Sequence, residues 1–178
     1  MFVKKFLLAA INAKYIHSNP GVYSLRAFAR TKIPGADIEI GEYTINHQMD
    51  RILQDIYRKK PDFVGFSCYI WNWNTIQELL PELPKLLPDT KLWLGGPEVS
   101  FHAEKILAQY TQLTGIMVGE GEETFTQLVR FYHAPKGQLQ DIPGLVLPQG
   151  RTQPRELTDM SKLPFLYEDL GKFQNRII

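Results

Sequence analysis

Leu92-Trp93-Leu94-Gly95-Gly96-Pro97-Glu98 decides how this chain is read. An apolar run stops at two glycines, a proline and an acid, and a helical pattern follows. Gly115-Ile116-Met117-Val118-Gly119-Glu120-Gly121-Glu122 repeats the design further along. A parallel strand covered on both faces reads as a continuous apolar run, and its carboxyl end is where open α/β sheets receive ligands. Two such ends in one chain point to a ligand crevice along the edge of an α/β sheet.

The same alternation extends in both directions. Phe6 to Ile11 is a continuous apolar run and reads as a buried first strand. Val22 to Arg30 has helical spacing, with Pro20 near its start. Ala36 to Tyr43 alternates and reads as an edge strand, and Asp50 to Lys59 as a helix. Phe63 to Ser67 is the third strand. Asn74 to Leu87 carries leucines at helical spacing, but Pro81 and Pro84 predict a kink or an early break. Lys91 to Leu94 and Gly115 to Val118 are the fourth and fifth strands, followed by helices over Phe101 to Tyr110 and Glu122 to His133. Five strands separated by helices predict a doubly wound, Rossmann or flavodoxin-like parallel sheet in the order 2-1-3-4-5. This α/β domain is expected to span residues 1–135. Residues 136–178 read as a small hairpin, over Ile142–Leu147 and Gln149–Thr152, and a connector.

Composition narrows the function. The 178 residues suffice for one well-packed domain, and a formal net charge of +1 offers no nucleic-acid surface. The single cysteine, Cys68, excludes an internal disulfide and an iron–sulfur cluster held by this chain alone. Met1 to Ala10 lacks the long apolar core and cleavage site of a signal peptide, and no run approaches the roughly 18 residues of a membrane span. A cytoplasmic location with no membrane contact is expected.

Four loops fall at the carboxyl ends of strands. Asn12 to Gly21 is long and polar; it reads as a surface loop or as a ligand loop, with His17 open to ligation, base chemistry or plain solvation. Ser67 to Asn74 places Tyr69, Trp71 and Trp73 in one turn, which suits either a planar ligand, a partner domain or a satellite core cluster. Cys68 reads as inert packing. Gly95 and Gly96 allow backbone to approach a ligand or form a tight turn. Acids at Glu120, Glu122 and Glu123 suit a helix start and oppose a phosphate cradle. Neither GxxxxGK[ST] nor GxGxxG after the first strand is present, so nucleotide-triphosphate and dinucleotide readings are poor.

Four segments together, NAKYIHSNPG (12–21), GFSCY (65–69), GGPE (95–98) and GEGEETF (119–125), resemble the amino-terminal cobalamin-binding domain of class B-type radical S-adenosylmethionine enzymes. Many of those are methyltransferases. The resemblance covers nearly the whole chain. It implies a cobalamin-binding module of such an enzyme, with the cofactor's nucleotide tail descending between strand-end loops. Asn12, Tyr15, His17, Ser18 and Asn19 would line the first part. Ser67, Tyr69, Trp71 and Asn72 would line the second. Gly95, Gly96, Pro97 and Glu98 would lie along the tail, and Gly119, Glu120 and Gly121 would close the far side.

Two departures qualify what is implied. Family members that ligate cobalt through histidine carry DxHxxG. Aligned on His17, this chain has Tyr15 at the aspartate position and Pro20 at the glycine position. A metal-bound histidine needs a partner on its other nitrogen. The expectation is therefore a cobalt without a protein ligand, or a domain that has kept the fold and lost the cofactor. The second departure is the absence of CxxxCxxC. S-adenosylmethionine and an iron–sulfur cluster would belong to a carboxyl-terminal radical domain, toward which Leu163 to Ile178 would lead; that domain is the expected partner. No residue is assigned a catalytic role. Two other readings stay open: a cofactor-free flavodoxin-like domain that docks a partner through Tyr69 to Trp73, and a small-molecule enzyme using His17 and Glu120 as acid and base.

Overall fold

The computed structural model describes residues 4–15, 17–134, 136–157, 159, 161, 163–165 and 167. Most of the expected connector, including everything after Tyr167, lies outside the described residues.

β1 (Lys5–Asn12) carries the first apolar run, and Phe6 through Ile11 are all buried. α1 (Pro20–Lys32) starts on Asn19, whose side chain accepts from the Val22 amide, and ends in the basic residues Arg30 and Lys32, which suit the helix dipole. β2 (Asp37–Thr44) leads to α2 (Met49–Lys59), which Lys60 terminates in a left-handed conformation, φ 46°, just before Pro61. β3 (Phe63–Ser67) precedes two short helices, α3 (Trp73–Leu79) and α4 (Leu83–Leu86). The break between them is the one that Pro81 and Pro84 predict, since proline supplies no amide to the helical ladder.

β4 (Lys91–Gly95) is followed by a single turn, α5 (Pro97–Ser100), and then α6 (Ala103–Gln109). The sequence pattern predicts one helix over Phe101 to Tyr110 and misses the turn before it. β5 (Leu113–Met117) and α7 (Gly121–His133) complete the alternation. A 3-10 turn over Leu139–Asp141 then leads to β6 (Leu145–Leu147) and β7 (Gly150–Arg151).

The sheet order is β2-β1-β3-β4-β5-β6-β7. The first five strands run parallel in the predicted 2-1-3-4-5 order. The expectation of a five-stranded, wholly parallel sheet is corrected: β6 and β7 add antiparallel, giving a mixed sheet of seven strands. The reason is the outer edge of β5. Left open, it would present unpaired backbone groups. Leu145 and Val146 pair with Met117 and Ile116, and Leu145, Val146 and Leu147 are all buried. The hairpin is thus continuous with the core sheet.

Alternation along the strands makes two cores. Leu7, Val64, Phe66, Leu94 and Ile116 face one way, against Ile52 and Ile56 of α2, Ile76 and Leu79 of α3 and Ile106 of α6. Phe6, Leu8, Phe63 and Trp93 face the other, against Val22 of α1 and Phe125, Leu128 and Val129 of α7. Among the described α-helices, α1 and α7 cover this second face, and the site opens where they meet the strand ends. Among the described residues no helix is long and apolar enough to cross a membrane.

Candidate functional site

Two adjacent rows of residues cross the face under α1 and α7. The deeper row is Leu8, Gly65, Trp93 and Gly115. Here Trp93 fills the space that Gly115 leaves, since a Cβ there would lie 2.6 Å from the indole, while Phe63 and Leu8 crowd Gly65. The next row, toward the carboxyl ends, is Ala10, Ser67, Gly95 and Met117. Ser67 and Gly95 are small, and both line open space, with Met117 beside them. A cavity of about 710 Å³ opens there, between the strand ends and the start of α7. Its size falls in the range of small-molecule sites.

The floor is Leu8, Gly65, Gly95 and Met117, and Val22 and Leu25 of α1 form one wall. Gly119, Glu120, Gly121 and Glu122 form the adjoining wall. α7 can start this close to α1 because Gly121 has no side chain; a Cβ would lie 2.9 Å from Leu25. Ser24 of α1 ties the walls together by donating to the Glu122 carboxylate at 2.7 Å. Pro97, Ser100 and Phe101 reach the rim from the β4 side, and Arg151 from β7. Arg151 is paired with Glu104 at 2.8 Å; a hydrogen bond from the backbone of Glu104, and after it this contact, hold the Glu104 carboxyl below its ordinary range. The charges stand at the mouth, while the floor is apolar.

Tyr69 and Trp71 form a parallel stack at the rim, with ring centres 4.4 Å apart and planes 9° from parallel. Tyr69 borders the cavity. Ile70, Trp71 and Phe101 are exposed, and Phe101 lines the cavity, so apolar and aromatic surface stands beside the charged groups of the mouth.

Of the residues singled out from the sequence, Ser67, Tyr69, Gly95, Gly96, Pro97, Gly119, Glu120 and Gly121 line this cavity. The others lie around it in other roles. Asn19 is buried, caps α1, and donates to Ser67 Oγ at 3.3 Å. Asn72 is wholly buried, and its amide is committed to backbone: it donates to the Ile11 and Ser67 carbonyls at 3.0 and 2.9 Å and accepts from the Tyr69 amide at 2.9 Å. Asn12 donates to the His17 carbonyl at 3.0 Å and to Glu42 at 3.2 Å. Tyr15 is exposed, and Ser18 bonds to Tyr167 at 2.9 Å. Glu98 contributes its amide to the Cys68 carbonyl at 3.4 Å. His17, like these residues, is not part of the cavity wall.

Sequence reasoning passed over Leu8, Gly65, Val22, Leu25, Met117 and Phe101, all of which line the cavity. Gly65 carried a usable signal, since a glycine inside an apolar strand marks a close approach. The apolar side chains carried none, because a cavity wall and a core have the same composition. Cys68, expected to be inert, is fully buried, and burial pushes its thiol well above the ordinary range. Among the described residues no group of three or more histidine, cysteine or acidic side chains is placed to hold a metal ion.

The comparisons with known proteins agree with this fold. Residues 7–129 match the family described as the B12 binding domain. Hopanoid C-3 methylase of Methylococcus capsulatus is 27% identical over 144 residues, covering 80% of this chain and 28% of that protein. The cobalamin-dependent radical SAM methyltransferase TokK of Streptomyces tokunonensis is 23% identical over 91 residues, covering 51% of this chain and 13% of that protein. The chain therefore spans less than a third of the length of either relative. Among solved structures, the cobalamin-dependent S-adenosylmethionine radical enzyme OxsB, with aqua-cobalamin and S-adenosylmethionine bound, superposes with a TM-score of 0.75 at 18% identity. That match covers 96% of this chain and 26% of OxsB. The fold, the strand-end cavity and the match over most of its length place the chain in the B12-binding domain family.

Proposed function

We propose that this chain is the cobalamin-binding module of a longer radical S-adenosylmethionine protein, and that the parent protein is a methyltransferase. The observation that carries the reading is the pair Ser67 and Gly95, adjacent on β3 and β4, whose small size leaves an apolar slot beneath the strand ends. The residues fit the group. A flat bicyclic base such as the lower base of cobalamin is of a size to enter between Leu8, Gly65 and Gly95 on one side and Val22 and Leu25 on the other. Ser67 supplies a hydroxyl beside it. The stacked Tyr69 and Trp71 offer a flat rim next to which the macrocycle can lie. When bound, cobalamin supplies the cobalt chemistry of methyl transfer; the residues here bind it, orient it and keep water from its base.

The cobalt has no ligand from this chain in this reading. His17 lies outside the cavity wall, and its sequence context lacks the aspartate that would orient a metal-bound imidazole. Residues 1–135 are assigned to cofactor binding, and residues 136–178 to a hairpin and connector toward the radical domain. The exposed Ile70, Trp71 and Phe101 favour docking of that domain over the same rim.

Adding hydroxocobalamin and following the visible spectrum and co-elution on gel filtration tests the reading. Retention with a spectral shift is expected. His17→Ala should leave the spectrum of the bound cofactor unchanged. Failure to retain hydroxocobalamin would favour the cofactor-free docking domain instead, in which case Trp71→Ala should still weaken capture of the separately produced radical domain.

A further inference from the structure

Tyr167 stands 149 positions beyond Ser18, yet the two hydroxyls meet at 2.9 Å. Tyr167 is only 6% exposed, although Phe165, two positions before it, is 68% exposed. Its ring packs against Tyr23 of α1, with centres 5.2 Å apart. Tyr23 in turn donates to Glu42 at 2.7 Å, and Glu42 also accepts from Asn12 at 3.2 Å. Asn12 holds the His17 carbonyl at 3.0 Å. The loop after β1 is thus braced from beneath by Asn12, and its far end is held by Tyr167.

The braced end adjoins the cavity. Asn19, next to Ser18, donates to Ser67 Oγ at 3.3 Å, and Ser67 lines the slot. Gly21 and Val22 follow after Pro20 and line it too. A shift at Ser18 is therefore passed through Asn19 to a residue in contact with whatever fills the slot.

We propose that Tyr167 is a positioning residue of the cofactor site: it latches the segment beyond the hairpin onto the loop after β1 through Ser18, and so sets the wall that this loop presents to the ligand. The inference rests on the cobalamin reading for the identity of that ligand. It makes the extension part of the binding site, and it couples the path of the chain beyond the domain to the grip on the cofactor.

Tyr167→Phe removes the hydroxyl and keeps the ring; Ser18→Ala removes the other half of the contact. Two measurements suffice: amide hydrogen exchange over residues 12–19 in the ligand-free chain, and the dissociation constant for hydroxocobalamin. A single hydrogen bond of this kind sets an expected effect of about three- to tenfold, as faster exchange confined to the loop and weaker binding. Tyr167→Phe placed in the Ser18→Ala background should weaken binding less than it does in the wild-type chain, because the two substitutions share the contact between these hydroxyls. Unchanged loop exchange in Tyr167→Phe, or full additivity, would overturn the latch. A wild-type chain that retains no hydroxocobalamin overturns the cofactor reading itself. A wild-type chain that binds, with Tyr167→Phe binding equally well, overturns this inference alone.

Discussion

Gly95 and Gly96 are neighbours that lack side chains for different reasons. Gly95 sits in β4, and a Cβ there would meet Met117 at 3.4 Å, an ordinary contact; the space beyond is the cavity. Gly96 has φ 108°, and its Cβ would lie 2.5 Å from the Cys68 carbonyl oxygen, where the loops after β3 and β4 cross. The two substitutions should therefore separate binding from folding. Gly95→Val is expected to keep the melting temperature within a few degrees and to lose hydroxocobalamin retention, because the isopropyl group occupies the slot. Gly96→Ala is expected to cost about 2–4 kcal/mol of stability, read as a lower denaturation midpoint, because a backbone collision and an unfavourable φ act together. A Gly96→Ala chain as stable as wild type would show that the crossing of the two loops can relax.

Among the elements, the turn from β3 into α3 is held by one side chain. Asn72 links the end of β1, the end of β3 and the amide of Tyr69 through three hydrogen bonds, all of them to backbone. The stack of Tyr69 and Trp71 sits on that support. Asn72→Ala leaves buried backbone groups without a partner and should cost about 3 kcal/mol. Loss of the stack should follow, seen as a change in tryptophan fluorescence at temperatures where the chain is still folded. Fluorescence that stays at the wild-type value would mean that the aromatic rim holds itself. The same element-scale logic explains α3 and α4. Their leucines supply a helical face, but Pro81 denies it one backbone bond, and two short helices result.

For the whole molecule, the question is what closes the sheet beyond β5. Burial of Leu145, Val146 and Leu147 contributes about 5 kcal/mol at ordinary transfer values, comparable to the net stability of a domain. A chain ended after His133 should therefore aggregate or lose its sharp thermal transition, as gel filtration and circular dichroism would register. A monomeric, cooperatively melting product would show that five parallel strands suffice. The hairpin also reaches the site, since Arg151 of β7 stands at the cavity rim.

The sequence by itself determined the repeating strand and helix order, the 2-1-3-4-5 core and the ends of β4 and β5 as places where a ligand can approach. Those features are local: apolar runs, proline breaks and glycines at strand ends are legible without knowing what packs on them. Only the tertiary structure decided which of the marked residues share a cavity. Asn72 and Ser67 are both polar residues of one loop, yet one is spent on backbone while the other faces the slot. Whether Leu8 and Met117 are core or cavity wall depends on what stands opposite, and the pairing of Ser67 with Gly95 across two strands settles that. The antiparallel addition of β6 and the return of Tyr167 to Ser18 were equally hidden, because a contact between distant positions is fixed by the packing of the whole chain and leaves no local pattern.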